Sequence, residues 1–198
     1  MPITDEQAKL GQEALKALGA VGRFLREVIG TYPEDLVGYY LGGDWLKVRR
    51  AENLSRMIEE LQHLLRARNV KPDSPSISIA LPLLIAAADE SRDELRSIWA
   101  RLLAAAADPA RAKSFRIQFI EVVKQMDPLD AAVLDATHRR QRVTAELTNE
   151  LAIESKMNRD EVEISLDNLA RLGLVTANPS RIFHISAFGR EFLRAISD

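Results

Sequence analysis

The sequence contains no cysteine, which excludes disulfide bonds, thiolate metal sites and a cysteine nucleophile. It also lacks an excess of one charge, because 27 Lys and Arg residues stand against 29 Asp and Glu residues, a formal net charge of −2. No overall electrostatic attraction to nucleic acid or to an anionic membrane is therefore expected. The longest nearly uncharged apolar run, residues 77–88, is too short to cross a bilayer.

The chain starts with MPITDEQAKLGQ, which has neither the basic region nor the apolar run of a signal peptide. Together with the absence of cysteine, this start favours a cytoplasmic location.

Recognisable catalytic motifs are missing as well. The sequence has no HExxH, GxxxxGK[ST] or GxSxG motif, and its histidines, His63, His138 and His184, fall in three different predicted elements. The acidic cluster at residues 89–94 resembles a cation site, but acids before a helix are explained more simply by its N-terminus. We therefore expect no enzymatic activity, no metal and no cofactor.

What the sequence does contain is helical periodicity through the first 140 residues. Thr4 with Gln7 predicts a capping box that opens a first helix, and Ser91 with Glu94 predicts another. The other helices are predicted from Thr31 onward and over residues 44–68, 76–88, 115–126 and 128–140. No strand is predicted before residue 174. The fold class is thus all-α, with a multi-helix bundle of about six helices over residues 1–140.

Residues 141–198 predict a small winged-helix-like module with a short β-ribbon. Asn158 with Glu161 forms a capping box, Gly173 suits the end of the same helix, and Ser186 caps the last helix. The elements are, in order, two helices, two strands and a helix: residues 144–153, 158–172, 175–176, 181–185 and 186–196. This is the order of a winged-helix fold.

The helix over residues 158–172 stands where such a fold carries its recognition helix, but it is acidic. It has two basic residues against four acidic ones, so binding of nucleic acid at this helix is not expected. At 100° per residue, its outward side is either a solvated acidic face or a protein-interaction face with an apolar residue at its centre. The candidate residues are Asp160, Glu163, Ile164, Asp167 and Arg171.

Two alternatives remain open from the residues. A DNA-binding regulator would use the basic segment at the join of the two regions and the turn between the strands, with Arg139, Arg140, Arg142 and Arg181 as phosphate contacts. A membrane-acting effector would use the glycine-containing amphipathic helix over residues 5–29, although stable insertion is not expected.

Residues 81–109 carry an apolar helix, an acidic break and the segment Ile98-Trp99-Ala100-Arg101-Leu102-Leu103-Ala104. This stretch resembles the abortive-infection alpha family, a bacterial phage-resistance domain, and residues 119–134 resemble a second segment of it. Asp44, Arg49 and Asn53 match a third segment loosely, and Arg49 and Asn53 are candidate polar core or ligand-contacting residues. The resemblance covers residues 36–190.

The resemblance implies a role in defence against phage and brings no catalytic residues with it. We expect a non-enzymatic protein that acts through protein–protein contacts or self-association, with a homo-oligomer or a phage or host protein as its partner.

Overall fold

A computed structural model describes residues 44–140, 142–154 and 157–197. The helices predicted from Thr4 and from Thr31 lie outside the described residues. The described chain forms two compact units, residues 44–120 and Glu121–Ser197. Within these ranges, no helix combines the length and the apolarity needed to cross a membrane.

The first unit is built on three helices: α1 (Asp44–Ala67), α2 (Ile77–Ala88) and α3 (Asp93–Ala107). Each was predicted from its periodicity, and each packs against the other two. Large side chains from all three form a core that excludes water: Met57, Leu61, Leu83, Leu95, Trp99, Leu102 and Leu103. Burial of this apolar surface is the main stabilising contribution in such a unit.

The start of α3 differs from the prediction. Its N-cap is Arg92, without a side-chain hydrogen bond, so the capping box of Ser91 and Glu94 is wrong. The reason is that the Glu90 carboxylate accepts a hydrogen bond from the Arg92 backbone N–H at 3.0 Å. This contact sets the turn before α3 and takes the place of a side-chain cap.

A short 3₁₀ helix (Ala112–Ser114) and α4 (Gln118–Lys124) follow. Together they replace the single helix predicted over residues 115–126, and Phe115 adopts an extended backbone between them. The division between the two units falls within α4.

After the end of α4, the described residues of the second unit form four helices and three short strands. They are α5 (Pro128–Arg140), β1 (Arg142–Val143), α6 (Ala145–Glu154), α7 (Arg159–Arg171), β2 (Val175–Ala177), β3 (Phe183–Ile185) and α8 (Ala187–Ile196). The strands form an antiparallel sheet in the order β1-β3-β2. Helix α7 packs against α5, α6 and β2, which places it at the centre of the unit.

The helix boundaries predicted for this unit are confirmed. Asn158 and Glu161 make both hydrogen bonds of a capping box at the start of α7. After α7, Gly173 has φ 75°, and the Leu174 N–H donates to the Leu169 carbonyl at 2.9 Å, which closes the helix end. At α8, the Ser186 hydroxyl accepts a hydrogen bond from the Gly189 N–H.

Two features of the second unit were not predicted. Strand β1 is only two residues long, and such a length shows no alternation of apolar and polar residues. Helix α5 was placed at the end of the bundle, whereas it belongs to the second unit because it packs against α7. The all-α fold class with a small β element near the C-terminus is confirmed.

Candidate protein-interaction surface

Helix α7 has a buried face and an exposed face on opposite sides. The buried face packs into the core of the second unit through Val162, Ser165, Leu166 and Leu169. At 3.6 residues per turn, four side chains lie farthest from this face, at successive sequence intervals of four, three and four residues. All of them are exposed, and we call them the outward stripe: Asp160, Ile164, Asp167 and Arg171.

Ile164 is the apolar centre of the outward stripe. Its side chain is 69% exposed, so the helical phase predicted from the sequence is confirmed. Among the described residues, the only large apolar side chain with greater exposure is Ile153 on α6, at 79%. These two exposed isoleucines of the second unit lie on different helices and therefore form a natural pair for comparison.

The charge of this surface differs from that of the helix alone. Arg181, in the turn between β2 and β3, donates a hydrogen bond to the Asp167 carboxylate at 3.0 Å, and its guanidinium lies 5.5 Å from the Phe183 ring centre. On the flank of the helix, Arg159 pairs with Glu163 at 2.8 Å. The exposed face of α7 is therefore nearly balanced in charge rather than acidic.

Arg171 is held in place by a polar network within the second unit. Its guanidinium donates to the Gln125 side-chain oxygen at 3.0 Å and to Asn168 Oδ1 at 2.6 Å. Asn168 in turn donates to the Asp130 carboxylate at 2.7 Å, and Asp130 is only 3% exposed. Asp130 also accepts a hydrogen bond from the Asp127 N–H, at the start of α5. The network thus fixes the C-terminal end of the outward stripe.

The four candidate phosphate contacts are distributed over several elements. Arg139 pairs with Asp135 one turn earlier on α5, and Arg140 is half-buried. Arg142 lies on β1 opposite His184, and its side chain is outside the described part of the structure. Two of the four candidates, Arg139 and Arg181, therefore already pair with acids of the chain itself.

The polar residues singled out in the first unit occupy different surroundings. Asn53 is 8% exposed, and its side-chain amide donates to the Ala88 carbonyl at 2.9 Å, at the C-terminal end of α2. Arg49 is exposed, whereas its neighbour Arg50 makes a two-point contact with Asp89 at 2.5 and 3.0 Å. The contacts of Asn53 and Arg50 join α1 to the end of α2.

Comparison with known proteins decides the family. The sequence model described as abortive infection alpha matches residues 49–196, which is most of the chain. This chain belongs to the abortive infection alpha family. No curated protein and no solved structure shows a significant match to it.

Membership of the abortive infection alpha family indicates a role in abortive infection. The residues that first carried the resemblance are core residues: Trp99 is 1% exposed, and Ala100, Leu102 and Leu103 are fully buried. The family pattern therefore specifies how the helices pack.

Three acidic residues of the cluster at residues 89–94 form ion pairs with arginines. Besides the pair of Arg50 and Asp89, Arg92 contacts Glu90 at 2.8 Å and Arg96 contacts Asp93 at 2.5 Å. Across the described residues, no group of three or more potential ligands could hold a metal ion. The three histidines are exposed and lie on different elements.

The pKa of Glu90, within this cluster, is altered by its surroundings. Burial alone raises its pKa, but the hydrogen bonds from the Arg92 side chain and backbone, the Arg92 charge and the indole of Trp99 lower it by more. The net result is a pKa below the ordinary value of 4.5. The ionised carboxylate therefore stabilises the fold above this pH, and the contribution is lost as the pH falls through the lowered pKa.

Glu90→Gln is expected to lower the free energy of unfolding by about 1–2 kcal/mol at pH 7, because it removes a buried charge that Arg92 pairs with. The deficit should shrink as the pH is lowered below 4.5, since the wild-type carboxyl then becomes neutral too. Urea unfolding at pH 7 and pH 3 measures both values, with Glu94→Gln on the exposed first turn of α3 as the control. A deficit that stays constant between the two pH values would contradict this account.

Proposed function

We propose that this member of the abortive infection alpha family acts in phage defence without enzymatic activity, by binding another protein through the outward stripe of α7. The observation that carries the proposal is Ile164, an isoleucine 69% exposed at the centre of the stripe. Single exposed apolar residues are common on protein surfaces, so exposure alone is weak support. Further support comes from the contacts made by the charged residues around Ile164.

Two charged residues of the outward stripe, Asp167 and Arg171, have partners within the free protein. Asp167 is held by Arg181, and Arg171 is held by Gln125 and Asn168. Ordering flexible side chains at an interface costs about 0.5–1.5 kcal/mol each, so pre-ordered side chains bind at a lower entropic cost. An apolar anchor surrounded by fixed charges is the arrangement expected of a protein-binding site.

We further propose that the second unit is a winged-helix module. Its elements follow in the order α5, β1, α6, α7, β2 and β3, and the sheet order β1-β3-β2 brings the two ribbon strands beside β1. In this interpretation α7 occupies the place of the recognition helix, and the turn with Arg181 is the wing. The sequence predicted two helices followed by a β-ribbon. The proposed module adds helix α5 and strand β1 before these elements.

Protein contact is better supported than DNA contact at α7. DNA affinity depends mainly on cations that neutralise phosphates. The two cations of α7, Arg159 and Arg171, and the wing residue Arg181 contact groups of the chain itself. The membrane alternative depends on residues 5–29, which lie outside the described residues.

Ile164→Asp is expected to abolish or strongly reduce protection against phage while leaving folding intact, because surface substitutions change stability by about 0.5 kcal/mol or less. Protection is measured as the efficiency of plating on bacteria that express the chain, with thermal unfolding of the purified variant beside it.

Ile153→Asp is the matched control, because it places the same charge at an exposed isoleucine of the same unit. It should keep protection. Full protection by Ile164→Asp, or an equal loss in both variants, would remove the support for the outward stripe as the functional surface.

A further inference from the structure

We propose that the protein bound by the outward stripe is a second copy of this chain, with the two α7 helices antiparallel across a two-fold axis. This inference rests on the proposed function, because it names the partner of the same surface. It follows from the order of the residues along the stripe and from the pairing of their charges.

The stripe is self-complementary when it is reversed. Its spacing of four, three and four residues is symmetric about a point midway between residues 165 and 166. In an antiparallel pair centred there, Asp160 faces Arg171 of the second copy, and Arg171 faces Asp160 of the second copy. Such an isologous interface uses the same patch on both subunits, as a two-fold axis requires.

The two ion pairs stand at the ends of the interface. Asp160 and Arg171 are eleven residues apart, which corresponds to about 16 Å along a helix rising 1.5 Å per residue. Between them, the two Ile164 side chains lie on either side of the axis, offset by three residues or about 4.5 Å. The two Ile164 side chains therefore lie near the axis together with Asp167, and the ion pairs of Asp160 with Arg171 lie at the periphery.

Asp167 is the residue that would oppose this arrangement. In the antiparallel pair it lies opposite Ile164 of the second copy, and the two Asp167 carboxylates approach each other near the axis. The contact with Arg181 within each copy neutralises this charge, at 3.0 Å between Arg181 Nη2 and Asp167 Oδ1. Asp160 and Asp167 are balanced by Arg171 and Arg181, so two copies of the surface do not repel each other.

Charge reversal on mixed chains tests the pairing directly. Asp160→Arg places arginine against Arg171, and Arg171→Glu places glutamate against Asp160, so each variant alone should associate about tenfold or more weakly than the wild type. When the two variants are mixed, both contacts become attractive again in the heterodimer. Light scattering should show the wild type rising with concentration towards twice 22.1 kDa, both variants remaining at 22.1 kDa, and the mixture rising again.

The absence of cysteine provides a second test that does not depend on Arg171, whose network contacts are lost in Arg171→Glu. Ile164→Cys carries a single thiol per chain, and a short bis-maleimide should crosslink it to a covalent dimer. Ile153→Cys, at a position that is even more exposed, should give little crosslinked product.

A wild type that stays monomeric at all concentrations, a mixture that fails to associate, or a stronger crosslink at residue 153 than at residue 164 would each overturn the inference. The proposed function fails separately. If the wild type is monomeric but Ile164→Asp still loses protection, the outward stripe binds a different protein, and only the self-association is overturned.

Discussion

Replacing Trp99 with alanine is expected to lower the free energy of unfolding by about 3–5 kcal/mol. Trp99 is 1% exposed in the core shared by α1, α2 and α3, and its removal leaves a cavity that the fully buried neighbours Leu102 and Leu103 hold open. Because small proteins are stable by only about 5–15 kcal/mol, this loss removes a large fraction of the free energy of unfolding. Urea unfolding of the purified chain gives the value.

Trp99→Phe removes the indole nitrogen but keeps most of the side-chain volume, so it distinguishes their contributions to stability. Within the described residues, Trp99 Nε1 has no regular hydrogen-bond partner, although the indole contributes to the lowered pKa of Glu90. Phenylalanine keeps most of the apolar volume, so we expect a loss of about 1–1.5 kcal/mol. A Trp99→Ala variant as stable as Trp99→Phe would contradict the central place of this residue in the core.

Gly189→Ala is expected to lower the free energy of unfolding by about 2–3 kcal/mol, at the upper end of what overpacking costs. A Cβ atom at Gly189 would overlap the Leu174 carbonyl oxygen, with its carbon only 2.9 Å away and Ile185 Cγ2 at 3.1 Å. The carbonyl cannot move freely, because it accepts a hydrogen bond from the Ser186 N–H at 3.0 Å. The start of α8 would have to separate from the residue before β2.

Gly173→Ala is the comparison for this prediction, because glycine is needed there for a different reason. Its φ of 75° lies in the left-handed region, which costs other residues about 1–2 kcal/mol, but a Cβ atom would meet only Phe188 at 3.8 Å. Gly189→Ala should therefore be the more damaging of the two in urea unfolding. Equal stability of Gly189→Ala and the wild type would show that α8 does not pack on Leu174 as described.

The phase of α7 could be predicted because its signals are local. The apolar residues Val162, Leu166 and Leu169 recur at helical spacing, and Asn158 caps the helix from its own N-terminus. The opposite side, with Ile164 at its centre, follows by geometry. The same reasoning located α1, α2 and α3 and the residues that fill their core.

The charge of the surface could not be predicted, because it depends on contacts between residues far apart in sequence. Arg181 reaches Asp167 across fourteen positions, and Asn168 reaches Asp130 across thirty-eight. Neither contact can be predicted from the spacing of apolar residues along one helix. A count of charges on α7 alone therefore indicated an acidic face, whereas the folded surface is nearly balanced and matches a reversed copy of itself.

Protection against phage in cells that produce both Asp160→Arg and Arg171→Glu chains tests the central claim most directly, because it joins the outward stripe, self-association and defence in one measurement. On cells that produce only one of the two variants, phage should plate as efficiently as on cells without the protein. The two together should restore protection towards that of the wild type, since only the mixed pair brings opposite charges together at both ends of α7. Protection by either variant alone, or no recovery when the two folded chains are produced together, would contradict the account.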